Sequence, residues 1–446
     1  MAGSVLSDRL GEGLGDTNGL SWTSGYCQVV ARQPLVIDNR EKELLRGLAL
    51  QVADIANHPC QDQKRNLWRR HNDLQETRPL IFCDPENAWY EIFPAASLKC
   101  KNALARIWEF KLLKEIYWAN IIKDDRVCEP YFSVHYIYNL TKRGVAVDFI
   151  EHHIADGAHT WKAPLTEYSI LSEMKPEEIC IDFEKTNALL QLAKDIFADI
   201  LEVRLEGSFW WSFGLTSDAI YLRGFENFLY DMYDEPEGLH SLMAFLRDEA
   251  MGKLDYLEDN GLLTPNSLGD FIGTGGYGYT SSLPDTLQRV KLSQMWGFSE
   301  SQETVSISTE FFEEFVFRYQ LPILKRFGLN IYGCCEPLDN RLDVIKRIPR
   351  LRRVTVSPWA NKDFMAEALG SNYVYCSKIN PSHMAQKSLY EDAAQSELRE
   401  VFLAAKRNSC PAEVMLRDVV TLGGNPQNAS RWVELARRAS KEIYGE

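Results

Sequence analysis

The apolar positions of this chain change their spacing repeatedly from about residue 40 onward. Between 40 and 73 they recur at helical spacing and predict two helices, the second from about 61. Short apolar runs predict strands at 79–83, 131–138, 200–205, 268–272, 293–297, 329–333, 353–357, 373–376 and 413–419. Amphipathic stretches predict helices at about 96–121, 186–198, 224–233, 235–260, 309–327, 338–347, 361–369, 390–407 and 426–443.

This alternation of short strands with helices is typical of parallel βα units. Roughly eight such strands favour a closed (β/α)8 TIM barrel, an α/β fold, over an open doubly wound sheet. We predict that residues 1–75 form an N-terminal arm and helical extension and that residues 76–446 form the barrel. The polar and aromatic stretch 138–185 is interpreted as an insertion that extends loops at the mouth of the barrel.

Composition narrows the classes of partner. The 446 residues are 45% hydrophobic and carry a net charge of -14, which opposes binding to nucleic acid or anionic lipid. No apolar run reaches the ~18 residues of a membrane span, and no charged-then-apolar leader opens the chain. We therefore expect a cytoplasmic protein with no nucleic-acid or membrane partner, in which most of the ten cysteines are free thiols.

In a parallel barrel the functional residues gather where the strands end. That rule selects the segment after the first strand, whose Glu86, Asn87 and Glu91 would orient a substrate. It also selects aromatic rings that would bind an aromatic or cationic substrate. These are Trp89, Tyr277, Trp296 and Trp359, although for any single tryptophan shielding of the barrel core is the favoured interpretation.

The motif Cys334-Cys335-Glu336 follows a predicted strand directly. Thiolate and carboxylate groups are ligands that suit zinc. Adjacent residues of one strand point to opposite faces, so both cysteines can serve one metal only if the strand has ended, as Gly333 and Pro337 suggest. Two alternatives remain open: a cysteine packed under a helix, and a vicinal disulfide, which a reducing compartment disfavours.

Asp418 is a charge within an otherwise apolar predicted strand. A buried carboxylate needs a cation, a metal ion or a proton. Its neighbour Arg417 points to the opposite face, so a partner from another strand is implied. Ligation of a metal and a salt bridge at the barrel mouth both satisfy this requirement.

Three stretches resemble the uroporphyrinogen decarboxylase superfamily, which includes decarboxylases and methyltransferases that serve corrinoid proteins. They are RGFENFLYDMYDEPEGLHSLMAFL (223–246), STEFFEEFVFRYQLPILKRFGLNIYGCC (308–335) and the final strand with NPQNASRWVELAR. The resemblance spans most of 75–443. It is nearest to a divergent branch that also shows a DPEN-W-E start and a YGCCEPL strand end, close to the corrinoid-dependent methyltransferases.

In the zinc methyltransferases of this superfamily, a His-x-Cys pair and a later Cys hold the metal. Carried over, the His position falls on Tyr332, the first Cys on Cys334 and the later Cys on Asp418, so two of three ligands differ. The resemblance then implies a rebuilt zinc site that uses Cys334, Cys335, Glu336 and Asp418.

The function implied is transfer of a methyl group from a small methyl donor, an aryl methyl ether or a methylamine-like compound, to a corrinoid carried by a separate protein. Asp418, Glu336 and Glu86 would be the catalytic residues. One alternative is a decarboxylase or lyase of the same superfamily without a metal. Another is a barrel that binds a small molecule without catalysis. The sequence leaves a homodimer open.

Overall fold

The computed structural model describes residue 30 and residues 34–150, 160–286 and 288–445. Twelve strands lie in these ranges. They are β1 (Leu80–Cys83), β2 (Tyr131–His135), β3 (Tyr138–Leu140), β4 (Asp148–Ile150), β5 (Thr160–Lys162), β6 (Ile179–Ile181), β7 (Glu202–Glu206), β8 (Trp296–Ser299), β9 (Leu329–Tyr332), β10 (Leu351–Val356), β11 (Val374–Lys378) and β12 (Ala412–Leu416).

The α-helices of the same ranges surround these strands. They are α1 (Asn39–Ala56), α2 (Cys60–Asn72), α3 (Trp89–Ile92), α4 (Ala103–Tyr117), α5 (Phe183–Phe197), α6 (Thr216–Arg223), α7 (Phe225–Asp234), α8 (Pro236–Asp259), α9 (Thr309–Phe311), α10 (Arg318–Leu324), α11 (Leu342–Ile345), α12 (Lys362–Leu369), α13 (Glu391–Arg407) and α14 (Gln427–Tyr444). A π-helical segment, Phe312–Phe317, joins α9 to α10. No helix of the described residues is both long enough and apolar enough to cross a membrane.

Six parallel strands form the central sheet, in the order β1-β12-β11-β10-β9-β8. Most residues of these strands are buried without a polar-apolar alternation, because helices cover the sheet. The register brings equivalent ends together: Leu80 pairs with Glu413 and Cys83 with Leu416. The segments that follow the strands therefore meet at one edge, where the candidate chemistry lies.

A second parallel pair, β2 and β7, brings the number of parallel strands to eight. Within the described residues no strand ladder joins β1 to β2 or β7 to β8. Single main-chain hydrogen bonds link neighbouring segments at both places: Asp125 N donates to Ile81 O (2.9 Å) and Phe213 N to Phe298 O (3.0 Å). The predicted α/β fold with a parallel sheet is confirmed, whereas the strand ladders of the described residues do not close into the predicted barrel.

Two predicted strands differ from the observed elements. The run 268–272 is not a strand: Phe271 forms only an isolated antiparallel bridge with Tyr277. Gly269 and Gly273 on either side have φ angles of 123° and 55°, which no extended strand adopts. The last strand ends at Leu416 rather than 419, so Asp418 lies in the following turn with a left-handed φ of 60°.

The predicted insertion contributes two small antiparallel pairs, β3 with β6 and β4 with β5. His152 and His153 of this insertion lie outside the described residues. Most of the predicted N-terminal arm does too.

Helix α2 packs directly onto the central sheet. His71 Nε2 lies 3.0 Å from Glu413 Oε2 on β12, and Arg353 Nε on β10 lies 3.1 Å from Glu413 Oε1. All three side chains are fully buried. The domain boundary at residue 75 stays a prediction, but α2 shares buried polar contacts with the predicted barrel.

Candidate active site

A cavity of about 390 Å³ is lined by residues that lie on β2, β7 and β8 or directly after β1 and β12. Its wall combines aromatic rings with charged side chains, an arrangement that can enclose a small molecule and orient it. The wall includes Asp84, Trp108, Phe110, Lys111, Lys114, Glu115, Trp118, Arg126, Tyr131, Ser133, His135, Glu206, Trp210, Trp211, Asp270, Phe271, Gly273, Tyr277, Trp296, Phe298 and Arg417.

Helix α4 supplies two lysines to this wall. Lys111 Nζ donates to the main-chain oxygen of Ser133 on β2 (2.7 Å), and burial lowers the pKa of Lys111. Burial also lowers the pKa of Lys114, to about 8. The N-cap Asn102 accepts a hydrogen bond from Ala105 N at the start of α4, and this cap helps to hold the helix in place.

The positive charge of Arg126 is neutralised by a carboxylate of the same cavity wall. Its guanidinium forms an ion pair with Glu115 and stacks 4.3 Å from the ring centroid of Trp118. Arg126 is therefore a neutralised group that shapes the cavity.

Two carboxyl groups interact with Lys111: burial lowers its pKa, and the charges of Glu206 and Asp270 oppose this change. Burial raises the pKa of Glu206, at the end of β7, and raises the pKa of Asp270 well above its ordinary value. The charge of Glu206 raises the pKa of Asp270 further, because two neighbouring carboxylates disfavour double ionisation. The pair is therefore a source of a proton inside the cavity.

The turn after β1 connects the cavity to the last strand. Arg417 Nε donates to Glu86 Oε1 (2.9 Å), and the main-chain N–H of Asp418 donates to Glu86 Oε2 (2.6 Å). Burial raises the pKa of Glu86 to about 7, although the charge of Arg417 opposes this rise. Arg417 lines the cavity, and Glu86 fixes its position.

Two of the predicted aromatic residues, Tyr277 and Trp296, line the cavity. Trp296 is anchored by donation from Nε1 to the main-chain oxygen of Gly278 (2.9 Å). Trp89 is buried behind the wall, where its ring centroid lies 5.2 Å from that of Trp118. Its Nε1 donates to Asp84 Oδ1 (2.9 Å), so Trp89 supports wall residues from behind.

Three other predicted substrate residues lie away from this wall. Asn87 is exposed, and Trp359 is 71% exposed. The carboxylate of Glu91 accepts hydrogen bonds from the main-chain N–H groups of Leu422 and Gly424, which explains its position without a ligand.

The structure brings Cys334, Cys335 and Asp418 together, although 83 residues separate Cys335 from Asp418. Cys335 Sγ lies 3.4 Å from Cys334 Sγ and 3.4 Å from Asp418 Oδ2. Strand β9 ends at Tyr332, so both thiols can turn to one side. Lys378, at the end of β11, is the partner from another strand: it forms an ion pair with Asp418, and its Nζ lies 3.4 Å from Cys335 Sγ.

Glu336 faces away from this cluster. Its carboxylate accepts hydrogen bonds from the main-chain N–H groups of Ser301 (2.8 Å) and Cys334 (2.9 Å). The side chain is 1% exposed, and burial raises its pKa. Glu336 thereby ties the end of β9 to the segment after β8.

The thiol cluster does not fit a zinc ion in this arrangement. Among the described residues, no three or more His, Cys, Asp and Glu side chains are placed to hold a metal. The ammonium of Lys378 already contacts Asp418 and both thiols, at 3.9 Å from Cys334 Sγ, and would repel a dication. We derive no chemical step through zinc.

Sequence reasoning missed Lys111, Lys114, Glu206 and Asp270. The sequence of α4 contained an indication of the two lysines. Lys111, Lys114 and Glu115 share one helical face with Trp108 and Trp118. Charges on an aromatic helix face indicate a lined cavity better than a solvated surface. His135, at the end of β2, also lines the cavity; burial and the charge of Lys111 lower its pKa to about 3, so its ring is neutral.

Comparisons with known proteins give little further guidance. No protein-family model matches the sequence, and no curated protein matches it. Among solved structures, the chain is similar to a methyltransferase from Methanosarcina mazei, at 9% identity and a TM-score of 0.44, over 85% of this chain and 98% of that one. A superposition this loose supports neither a fold nor a function, so no family is assigned to the chain.

Proposed function

We propose that this chain is a methyltransferase that moves a methyl group from a small methylated substrate to the corrinoid of a separate protein. The observation that carries the proposal is the aromatic cavity at the strand ends that contains the carboxyl groups of Asp270 and Glu206, whose raised pKa values keep a proton available. The resemblance of three sequence stretches to the uroporphyrinogen decarboxylase superfamily, which includes methyltransferases that serve corrinoid proteins, also supports it.

We also propose that the eight parallel strands form a barrel opened at two seams. The cavity wall draws on β2, β7 and β8 and on the residues after β1 and β12, as expected if the strand ends surround one space. The single hydrogen bonds from Asp125 to Ile81 and from Phe213 to Phe298 cross the two seams.

In the proposed reaction the bond between the substrate heteroatom and its methyl carbon breaks. The heteroatom keeps the electron pair of that bond and takes a proton from Asp270, which Glu206 keeps protonated. The reduced corrinoid supplies the nucleophile that accepts the methyl group. Proton donation by a buried acid takes the role that a metal would otherwise have in polarising the leaving heteroatom.

The predicted catalytic residues Glu86 and Asp418 are assigned a positioning role. Glu86 bonds both Arg417 and the main chain of Asp418, and Asp418 is in turn paired with Lys378. This chain of contacts holds Arg417 at the cavity wall.

Methyl transfer is tested by incubating the protein with reduced cobalamin and 4-methoxybenzoate, and recording the absorbance of methylcobalamin. We expect product with the wild-type protein. Asp270→Asn should lower the rate by about 10²–10⁴-fold. Asp195→Asn, an exposed carboxylate of α5, is the matched control and should leave the rate unchanged. Equal rates in both variants would contradict the role of Asp270.

A decarboxylase without a metal is the second candidate, since Lys111, Lys114 and Arg417 place positive charge around the cavity. It predicts that a carboxylated substrate releases carbon dioxide and retains its methyl group. Substrate labelled in the carboxyl carbon separates the two reactions. Absence of both products would favour a non-catalytic binding protein.

A further inference from the structure

The ammonium group of Lys114 lines the cavity without a direct salt bridge. Among the described residues, no side chain forms a salt bridge with it and no acceptor receives a hydrogen bond from its Nζ. Its contacts are two aromatic rings, at 5.3 Å from the centroid of Phe110 and 5.8 Å from that of Trp89. A cation inside a protein is expected to be paired, yet the carboxylates of Asp84 and Glu115 act on Lys114 through their charge without a direct salt bridge.

The other cations of the wall have partners. Lys111 donates to Ser133 O, Arg126 pairs with Glu115, and Arg417 pairs with Glu86. Lys114 differs from these three residues because it contacts aromatic rings and forms neither a hydrogen bond nor a salt bridge among the described residues.

Two other hydrogen-bond donors of the cavity wall also lack an acceptor. The indole nitrogens of Trp108 and Trp211 are buried without a hydrogen-bond partner among the described residues, and both rings line the cavity. Asp84 contributes one unpaired acceptor, its Oδ2 atom. Among these buried atoms the unpaired donors outnumber the acceptor, and together with the Lys114 ammonium they suit a ligand that offers anionic oxygen.

The rest of the wall is aromatic. Trp118, Trp210, Phe271, Trp296 and Phe298 contribute rings to a volume of about 390 Å³. Rings of this kind pack against a planar apolar body. The ligand that fits the whole wall has one aromatic body and one anionic group.

We infer that the substrate is an aromatic carboxylate whose carboxylate pairs with Lys114 while its ring packs against the tryptophans. The inference rests on the proposed function only in that the aromatic ring carries the transferred methyl group. Binding without turnover therefore tests it separately.

The test is binding of 4-methoxybenzoate and of its neutral analogue 4-methoxybenzamide to the full chain, followed by tryptophan fluorescence and by calorimetry. We expect the wild-type protein to bind the carboxylate about tenfold or more tightly than the amide, as a charge-assisted hydrogen bond requires. Lys114→Met should remove this preference, and Lys114→Arg should retain part of it.

Lys441→Met is the matched control: it makes the same change on the exposed face of α14 and should keep the preference. Circular dichroism and the thermal midpoint establish that Lys114→Met is folded. Equal affinity of wild-type protein for the acid and the amide, or an unchanged preference in folded Lys114→Met, overturns the inference. Tight carboxylate binding without methylcobalamin would leave the inference standing and refute methyl transfer.

Discussion

The Nζ atom of Lys378 lies 3.4 Å from the Sγ atom of Cys335. The two residues follow different strands of the central sheet, and Asp418 from a third segment forms an ion pair with the same lysine. A protein ammonium therefore occupies the centre of the cluster for which the sequence predicted zinc. This arrangement makes the cluster an electrostatic link between strand ends.

Replacing Lys378 should destabilise the fold. Lys378→Met leaves the partly buried Asp418 carboxylate without its cation, and we expect a loss of about 1–3 kcal/mol in the free energy of unfolding. Urea denaturation measures it. The double variant Lys378→Met/Asp418→Asn should recover part of the loss, because the unpaired charge is gone. A double variant as unstable as the sum of the two single ones would contradict the pairing.

Metal analysis of the purified protein decides the zinc hypothesis. We expect no stoichiometric zinc in the wild-type protein, because the Lys378 ammonium contacts the thiols and Asp418. Chelator treatment should then leave the thermal midpoint unchanged. Near-stoichiometric zinc that disappears in Cys334→Ser would show that the lysine moves aside and that the ligand prediction is right.

The buried contact between Glu413 and Arg353 should contribute to stability. Glu413→Gln removes the only negative charge of the His71–Glu413–Arg353 group, and we expect a loss of about 3–5 kcal/mol in urea unfolding. Glu391→Gln, on an exposed pair with Arg431, is the control and should change stability little. Similar losses of unfolding free energy in the two variants would contradict the claim that the buried pair contributes more to stability than the exposed pair.

Stability should also depend on pH through His71. Burial lowers its pKa below the ordinary value of 6.5, so the unfolded chain binds a proton there that the folded chain does not. The free energy of unfolding should therefore fall as pH decreases below about 6.5. Glu413, whose pKa is lowered to about 2, adds a further loss between its ordinary 4.5 and 2. In His71→Gln, the urea midpoint should change less between pH 7.5 and pH 5 than it does in the wild-type protein.

Binding of an aromatic carboxylate should weaken at alkaline pH. The pKa of Lys114 in the free protein is about 8, lowered by burial and by the charges of Arg126 and Lys111 and opposed by Asp84 and Glu115. Only the ammonium form pairs with a carboxylate, so the dissociation constant should rise as pH increases through 8. Calorimetry with 4-methoxybenzoate at pH 7 and 9.5 measures this, and Lys114→Arg, which stays charged, should show a flatter profile. A wild-type affinity that is constant over this range would contradict pairing with Lys114.

The amino-acid sequence by itself determined the parallel α/β architecture, because short, mainly apolar runs such as 329–333 and 413–416 alternate with amphipathic helical segments. It also predicted that the segments after those strands meet at one edge, which is why Cys335 and Asp418 are neighbours. The false strand at 268–272 shows the limit of this reasoning, since apolar content there was overridden by glycines in left-handed geometry.

Only the tertiary structure decided which charges are paired. The sequence pointed to a cation for Asp418 without identifying Lys378, and it offered no way to tell the satisfied Lys111 from the unpaired Lys114 three residues later. Pairing depends on distances between side chains of different elements, which periodicity along one element does not contain. The fold class followed from local patterns, and the chemistry of the cavity followed from contacts across the chain.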